Sequence, residues 1–118
     1  MRHRVKSKRL NRPKDQLYSM LANLTVSVIL YEKIKTTQAK AKLVRSMVDK
    51  MITIAKKKEP IQAVRALNQA LPDPNAVKKL LQELKVRYKD RPSGFTRTTK
   101  IGFRVGDAAP MARIELIQ

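Results

Sequence analysis

The sequence predicts an α+β fold: about four helices packed on a small three-stranded sheet, with a basic extended N-terminal arm. Three observations lead there. Four runs of apolar residues recur at spacings of three and four, the period of a helix with one buried face. Two runs near the C-terminus alternate apolar with polar residues, the period of a half-buried strand. The opening residues carry many cations and no acid before Asp15.

The arm covers residues 1 to 12 and carries Arg2, His3, Arg4, Lys6, Lys8, Arg9, Asn11 and Arg12. Val5 and Leu10 offer too little apolar surface to offset the entropy of ordering it. It is expected to be extended and to order on a partner. A single domain follows over residues 13 to 118, since a chain of 118 residues has the length of one domain and shows no repeat or Gly/Ser linker.

Pro13 suits a first helical position and Asp15 a first turn. Leu17, Leu21, Leu24, Val28 and Tyr31 then mark one helical face, ending near Leu30, with Asn23, Thr25 and Ser27 on the other sides. Lys33-Ile34-Lys35-Thr36-Thr37 alternates and is a candidate third strand, with Ile34 and Thr36 on one side. Thr36 or Thr37 can cap the second helix. Leu43, Val44, Met47, Val48, Met51, Ile52 and Ala55 form its wide apolar stripe, in which the methionines act as core filler. Pro60 opens a third helix with Ile61, Val64, Leu67 and Leu71 on one face. Asp73 caps a fourth that begins at Pro74 and faces Val77, Leu80, Leu81, Leu84 and Tyr88 inward.

The C-terminal ribbon runs from Gly94 to Gln118. Phe95, Thr99, Ile101 and Phe103 share one parity, and so do Ala112, Ile114 and Leu116. Gly106-Asp107 supplies turn chemistry, and Pro110 can open a strand without a ladder donor. Ile101 and Ile114 are therefore expected to face the helices, with Phe95 and Phe103 as ribbon core. Arg97 and Arg104 are expected to reach outward.

Catalysis finds little support. The one histidine, His3, sits in the arm, where nothing rigid orients it, and the nine acids form no evident acid–base couple. Without cysteine there is no disulfide, thiolate nucleophile or zinc-finger ligation. No Gly-rich phosphate loop or His-based metal spacing appears, so no cofactor and no small-molecule substrate is expected. No apolar run reaches the ~18 residues of a membrane span, so no membrane partner is expected either.

The charge points elsewhere. With 27 Lys and Arg against 9 Asp and Glu, the net charge is +18. Such an excess folds nothing; it is a statement about a polyanionic partner. Aromatics are 4% of the chain, few for a single-strand stacking platform, so phosphates are the expected contact. The cations concentrate in three places: the arm, an acid-free span from Lys33 to Val48, and Lys85 to Arg104, interrupted by Asp90. Candidate RNA-contacting residues beyond the arm are Lys35, Thr36, Thr37, Lys40, Lys42, Arg45, Arg91, Arg97, Lys100 and Arg104. The Thr36 and Thr37 hydroxyls and the helix N-terminus behind them suit a phosphate. A free nucleic-acid regulator is the rival reading. It would present a compact set of Asn, Gln or Arg on a recognition helix, and no such set is visible.

Several motifs also resemble a known family. Met1-Arg2-His3, Leu10-Asn11-Arg12, Ile34-Lys35-Thr36-Thr37 before Lys40-Ala41-Lys42, Ile52-Thr53-Ile54-Ala55-Lys56, Gly94-Phe95-Thr96-Arg97 and Gly106-Asp107-Ala108-Ala109-Pro110-Met111-Ala112-Arg113-Ile114-Glu115-Leu116 occur in that order. Together they resemble the bacterial-type large-subunit ribosomal protein seventeen over nearly the whole chain. Asp15-Gln16, Leu43 and the Lys56–Pro60 joint depart from the family's usual pattern. The resemblance implies an α+β domain bound to large-subunit ribosomal RNA near the peptide tunnel exit, beside neighbouring large-subunit proteins, without catalysis. It implies a ribosome of the cytoplasm, with an organelle ribosome as the other setting.

Overall fold

The helices form where the apolar period places them, and their ends follow local chemistry. The computed structural model describes residues 9–118. Arg2, His3, Arg4, Lys6 and Lys8 lie outside the described residues. Leu10 and Asn11 take positive φ values of 52° and 56°, and the Arg12 amide donates to the Arg9 carbonyl, so the chain turns just before the first helix. Helix α1 spans Lys14–Tyr31, with Pro13 as its N-cap residue. Helix α2 spans Gln38–Lys57 and α3 spans Pro60–Ala70. Helix α4 starts at Pro74–Lys79, widens into a π-helical segment at Leu80–Leu84 and ends at Lys85–Arg87. Asp73 caps α4, accepting the Asn75 amide at 2.8 Å.

Three strands complete the fold: β1 at Lys33–Thr37, β2 at Thr96–Phe103 and β3 at Pro110–Leu116. The sheet is antiparallel in the order β1-β3-β2, so the last strand in sequence is central. The expected α+β architecture of four helices on a three-stranded sheet is present. The helices cover one face. Ala112, Ile114 and Leu116 of β3 are buried there with Thr36 of β1. Behind them the core joins Val28, Ile29, Val44, Val48, Ile52, Leu67, Leu80 and Leu84.

Four expectations about side chains are corrected. In α1 the buried set is Ala22, Thr25, Val26, Val28 and Ile29, while Tyr31 is 73% exposed. The second half of α1 is apolar almost all round, so periodicity could not say which stripe wins. Thr25, expected on a polar side, is fully buried because its hydroxyl donates to the Leu21 carbonyl at 2.7 Å. In α3, Ala63, Leu67 and the following Leu71 are buried while Ile61 and Val64 are exposed. The small Ala63 lies at the covered surface, and the larger β-branched residues lie to its side.

The fourth correction concerns β2. Thr96, Thr98 and Lys100 oppose Leu116, Ile114 and Ala112, so even-numbered residues share the helix-facing side. Arg97 and Thr99 take the open side, opposite Glu115 and Arg113. The register shifts between Lys100 and Gly102, leaving Ile101 as the extra residue of a bulge. Ile101 is 41% exposed and Phe103 is 75% exposed, so neither is ribbon core. Phe95, just ahead of the strand, is buried as expected. Past its start, β2 overhangs the helices: Arg97 through Phe103 are all exposed.

Candidate nucleic-acid interface

Alternation along β3 builds the site. Ala112, Ile114 and Leu116 go to the helices, so Met111, Arg113 and Glu115 must point the other way. Directly opposed residues of antiparallel strands share a face, which sets three rows across the open side of the sheet. Lys33, Glu115 and Arg97 form the first, Lys35, Arg113 and Thr99 the second, and Thr37, Met111 and Gly102 the third. Lys33, Lys35 and Arg97 are exposed and Arg113 is half-buried. Glu115 is the acid set among them. The Arg113 Nε is enclosed without a hydrogen-bond partner, 3.9 Å from Glu115 Oε2. Four cations thus crowd a sheet face that none of the described helices covers.

Other expected residues lie around this face. Lys42, Arg45, Lys100, Arg9, Asn11 and Arg12 are exposed, and Lys40 is half-buried. Thr36 is 8% exposed and sits on the helix side of β1, so Thr37 is the more open hydroxyl. Thr37 occupies the N-cap position of α2, yet its side chain makes no capping hydrogen bond. Arg91 is exposed but tethered, its Nε donating to the Gly94 carbonyl at 2.9 Å.

Arg104 is exposed and engaged at the hairpin tip. Its Nε and Nη2 donate to the Asp107 carboxylate at 3.1 and 2.6 Å. That fork holds the Asp107 carboxyl well below its usual range, at about 2. Asp107 also accepts the Ala109 amide, so the pair closes the loop in which Gly106 has a φ of 112°. Lys100 and Arg104 are not on the row pattern of the open face; they extend the basic surface along the overhanging hairpin.

Lys33 and Arg113 were not among the candidate residues. The signal for Arg113 was legible: it shares a parity with Met111 and Glu115, opposite the apolar residues of β3. Lys33 needed the pairing with Glu115, which local sequence does not reveal.

Among the described residues, no group of His, Cys, Asp and Glu could hold a metal ion. The fold and surface therefore define a small, strongly basic α+β protein in which, among the described residues, one sheet face is left open and lined with cations. Comparison with known sequences makes this specific. The family described as Ribosomal protein L17 matches residues 20–117. The large ribosomal subunit protein bL17 of Rickettsia typhi (strain ATCC VR-144 / Wilmington) is 47% identical over 99% of this chain and 85% of its own length. The protein of the same name in Neorickettsia sennetsu (strain ATCC VR-367 / Miyayama) is 44% identical over 99% of this chain and all of its own. The chain belongs to the ribosomal protein L17 family, and so is a ribosomal protein of bacterial type.

Proposed function

We propose that this protein is a structural component of the large ribosomal subunit that binds and stabilises folded large-subunit ribosomal RNA. The observation that carries the reading is the open sheet face, where Lys33, Lys35, Arg97 and Arg113 gather in a chain of net charge +18. Arg supplies a planar fork of donors for phosphate oxygens, and Lys supplies a mobile point charge. The sheet fixes their spacing, so they meet phosphates of a folded RNA rather than tracking a flexible strand. Thr37 and the open first turn of α2 add backbone donors for a phosphate at one edge.

The arm, residues 1 to 12, would run between RNA segments, with Arg2, His3, Arg4, Lys6, Lys8, Arg9, Asn11 and Arg12 as its contacts. Arg45, Arg91, Lys100 and Arg104 would meet RNA around the sheet's edge. The family's place near the peptide tunnel exit, beside other large-subunit proteins, is the position we assign. No described helix is long and apolar enough to cross a membrane. The setting is the ribosome of the cytoplasm.

Each phosphate neutralised releases counterions, so affinity for large-subunit ribosomal RNA should fall steeply with salt. The logarithmic slope is about 0.7 to 0.9 per phosphate contact in simple polymers. Filter binding between low and moderate salt checks this, and a flat curve would contradict the phosphate reading. In a lysate, the chain should sediment with large subunits through a high-salt wash. Recovery in the free-protein fractions under low salt would contradict the structural role.

A further inference from the structure

The groove at the end of α1 carries an observation that phosphate binding alone does not use. Tyr31 closes the helix with 73% of its surface exposed. Tyr31 lines a groove of about 630 Å³ with Leu30, Lys33, Lys79, Arg97 and Glu115. That volume lies within the ~300–1,000 Å³ typical of small-ligand sites.

The walls are of mixed sign. Glu32 lies in the groove, with Lys79 Nζ 2.8 Å from its Oε1 and Arg87 paired through both carboxylate oxygens. Glu115 sits between Lys33 and Arg97 in the strand register, and 3.9 Å separates it from Arg113 Nε. Its oxygens retain accepting capacity. Lys79 and Arg87 neutralise Glu32, so Glu115 is the acid that would repel a phosphate placed directly over it. A base edge carrying an amino group would find an acceptor, and a base face would find the tyrosine ring. Lys33 and Arg97, at the two edges of the same row, are placed for the phosphates on either side of such a nucleotide.

We infer that this groove receives a single unpaired nucleotide of RNA, its base stacked on Tyr31 and its flanking phosphates held by Lys33 and Arg97. The inference rests on the RNA-binding reading above and sharpens it. With so few aromatics the chain has no platform for successive bases, but one ring serves one extruded base.

The test compares two RNA duplexes of equal length, one fully paired and one with a single bulged 2-aminopurine nucleotide. Affinity is measured at one fixed salt concentration, and 2-aminopurine fluorescence reports stacking. The bulged duplex should bind more tightly and change its fluorescence. Tyr31→Ala should abolish the fluorescence change and weaken binding of the bulged duplex by about 5–150-fold, the span of alanine substitutions at base–aromatic stacks. Tyr31→Phe should retain both, because the ring alone stacks. Equal affinity for the two duplexes, or a bulge preference that survives Tyr31→Ala, would overturn the groove assignment and leave the phosphate reading standing. Failure of both duplexes to bind at low salt would overturn the RNA reading and this inference with it.

Discussion

Phe95→Ala should cost about 3–5 kcal/mol of folding stability, the range for deleting a buried aromatic ring. That is a large share of the ~5–15 kcal/mol holding a typical domain. Phe95 is 1% exposed. Its ring lies 5.0 Å from that of Tyr88 at a tilt of 50°, and Lys56 Nζ sits 5.0 Å from its centroid on one face. The neighbouring Thr96 hydroxyl donates to the Asp49 carboxylate on α2 at 3.5 Å, and the Ile117 amide donates to the Phe95 carbonyl at 3.0 Å. The ring therefore fixes the point where the Lys89–Gly94 loop becomes strand β2. Phe103→Ala, 75% exposed on the overhang, should change stability by less than about 0.5 kcal/mol. Urea unfolding of the two variants checks the contrast. Equal losses would show that the hairpin end is packed, contrary to the structure.

The second large effect should appear in acid and at Glu32. This residue follows α1 in a left-handed conformation, with φ 62°, and its carbonyl accepts the Leu116 amide at 2.9 Å. Its carboxylate takes two hydrogen bonds from Arg87, both at 3.0 Å, and lies 2.8 Å from Lys79 Nζ. One side chain thereby ties the α1–β1 turn to α4. The Arg87 fork, aided by Lys79, lowers the Glu32 carboxyl from an ordinary 4.5 to about 2. A carboxyl lowered on folding contributes stability that is present above its unfolded value and lost as pH falls towards the folded one. Stability should therefore drop between about pH 4.5 and pH 2. Asp49 works the other way, since burial raises it and its cost to the fold eases as the pH falls.

Glu32→Gln isolates the term, keeping the shape and removing the charge. At neutral pH it should cost about 1–3 kcal/mol, limited because the side chain keeps 24% exposure. Its melting temperature should vary less with pH below 4.5 than that of the unsubstituted protein. Asp107, also lowered to about 2, stays in both proteins and cancels from the comparison. Parallel acid limbs for the two would place the sensitivity elsewhere.

How much of this was readable depends on the kind of pattern each element carries. The stripe of α2 was plain because Val44, Val48, Met51, Ile52 and Ala55 repeat among charged neighbours. The inward set of β3 was plain for the same reason, and the alternation of β1 was sufficient to mark a third strand. Strand β2 was not legible in detail. Thr96 to Lys100 offers no apolar contrast between its faces, so Ile101 and Phe103 dominated the parity, and the bulge that sets Ile101 aside depends on pairing with β3. Tyr31 looked like core because it extends a spacing of three and four, yet the chain reverses one residue later. Glu32 read as the end of a pattern because Lys79 and Arg87, its partners, lie far along the chain. Of the candidate surface, the concentration of cations was legible, while the row that joins Lys33 to Arg97 through Glu115 required the sheet.

The strand order has a consequence in time. Both edge strands hydrogen-bond to β3, and β3 is the last of the three to leave the site of synthesis. Until then β1 and β2 have no ladder partner, and the helices have no sheet to lie on. Helix α2 can already gather α1 and α3 through contacts close in sequence, which form quickly. The pairing of residues 33–37 with residues 111–115 closes a loop over most of the chain, the slow kind of contact. The emerging polypeptide thus carries two basic strands without a ladder partner, and the arrival of one short segment should complete the sheet for both at once.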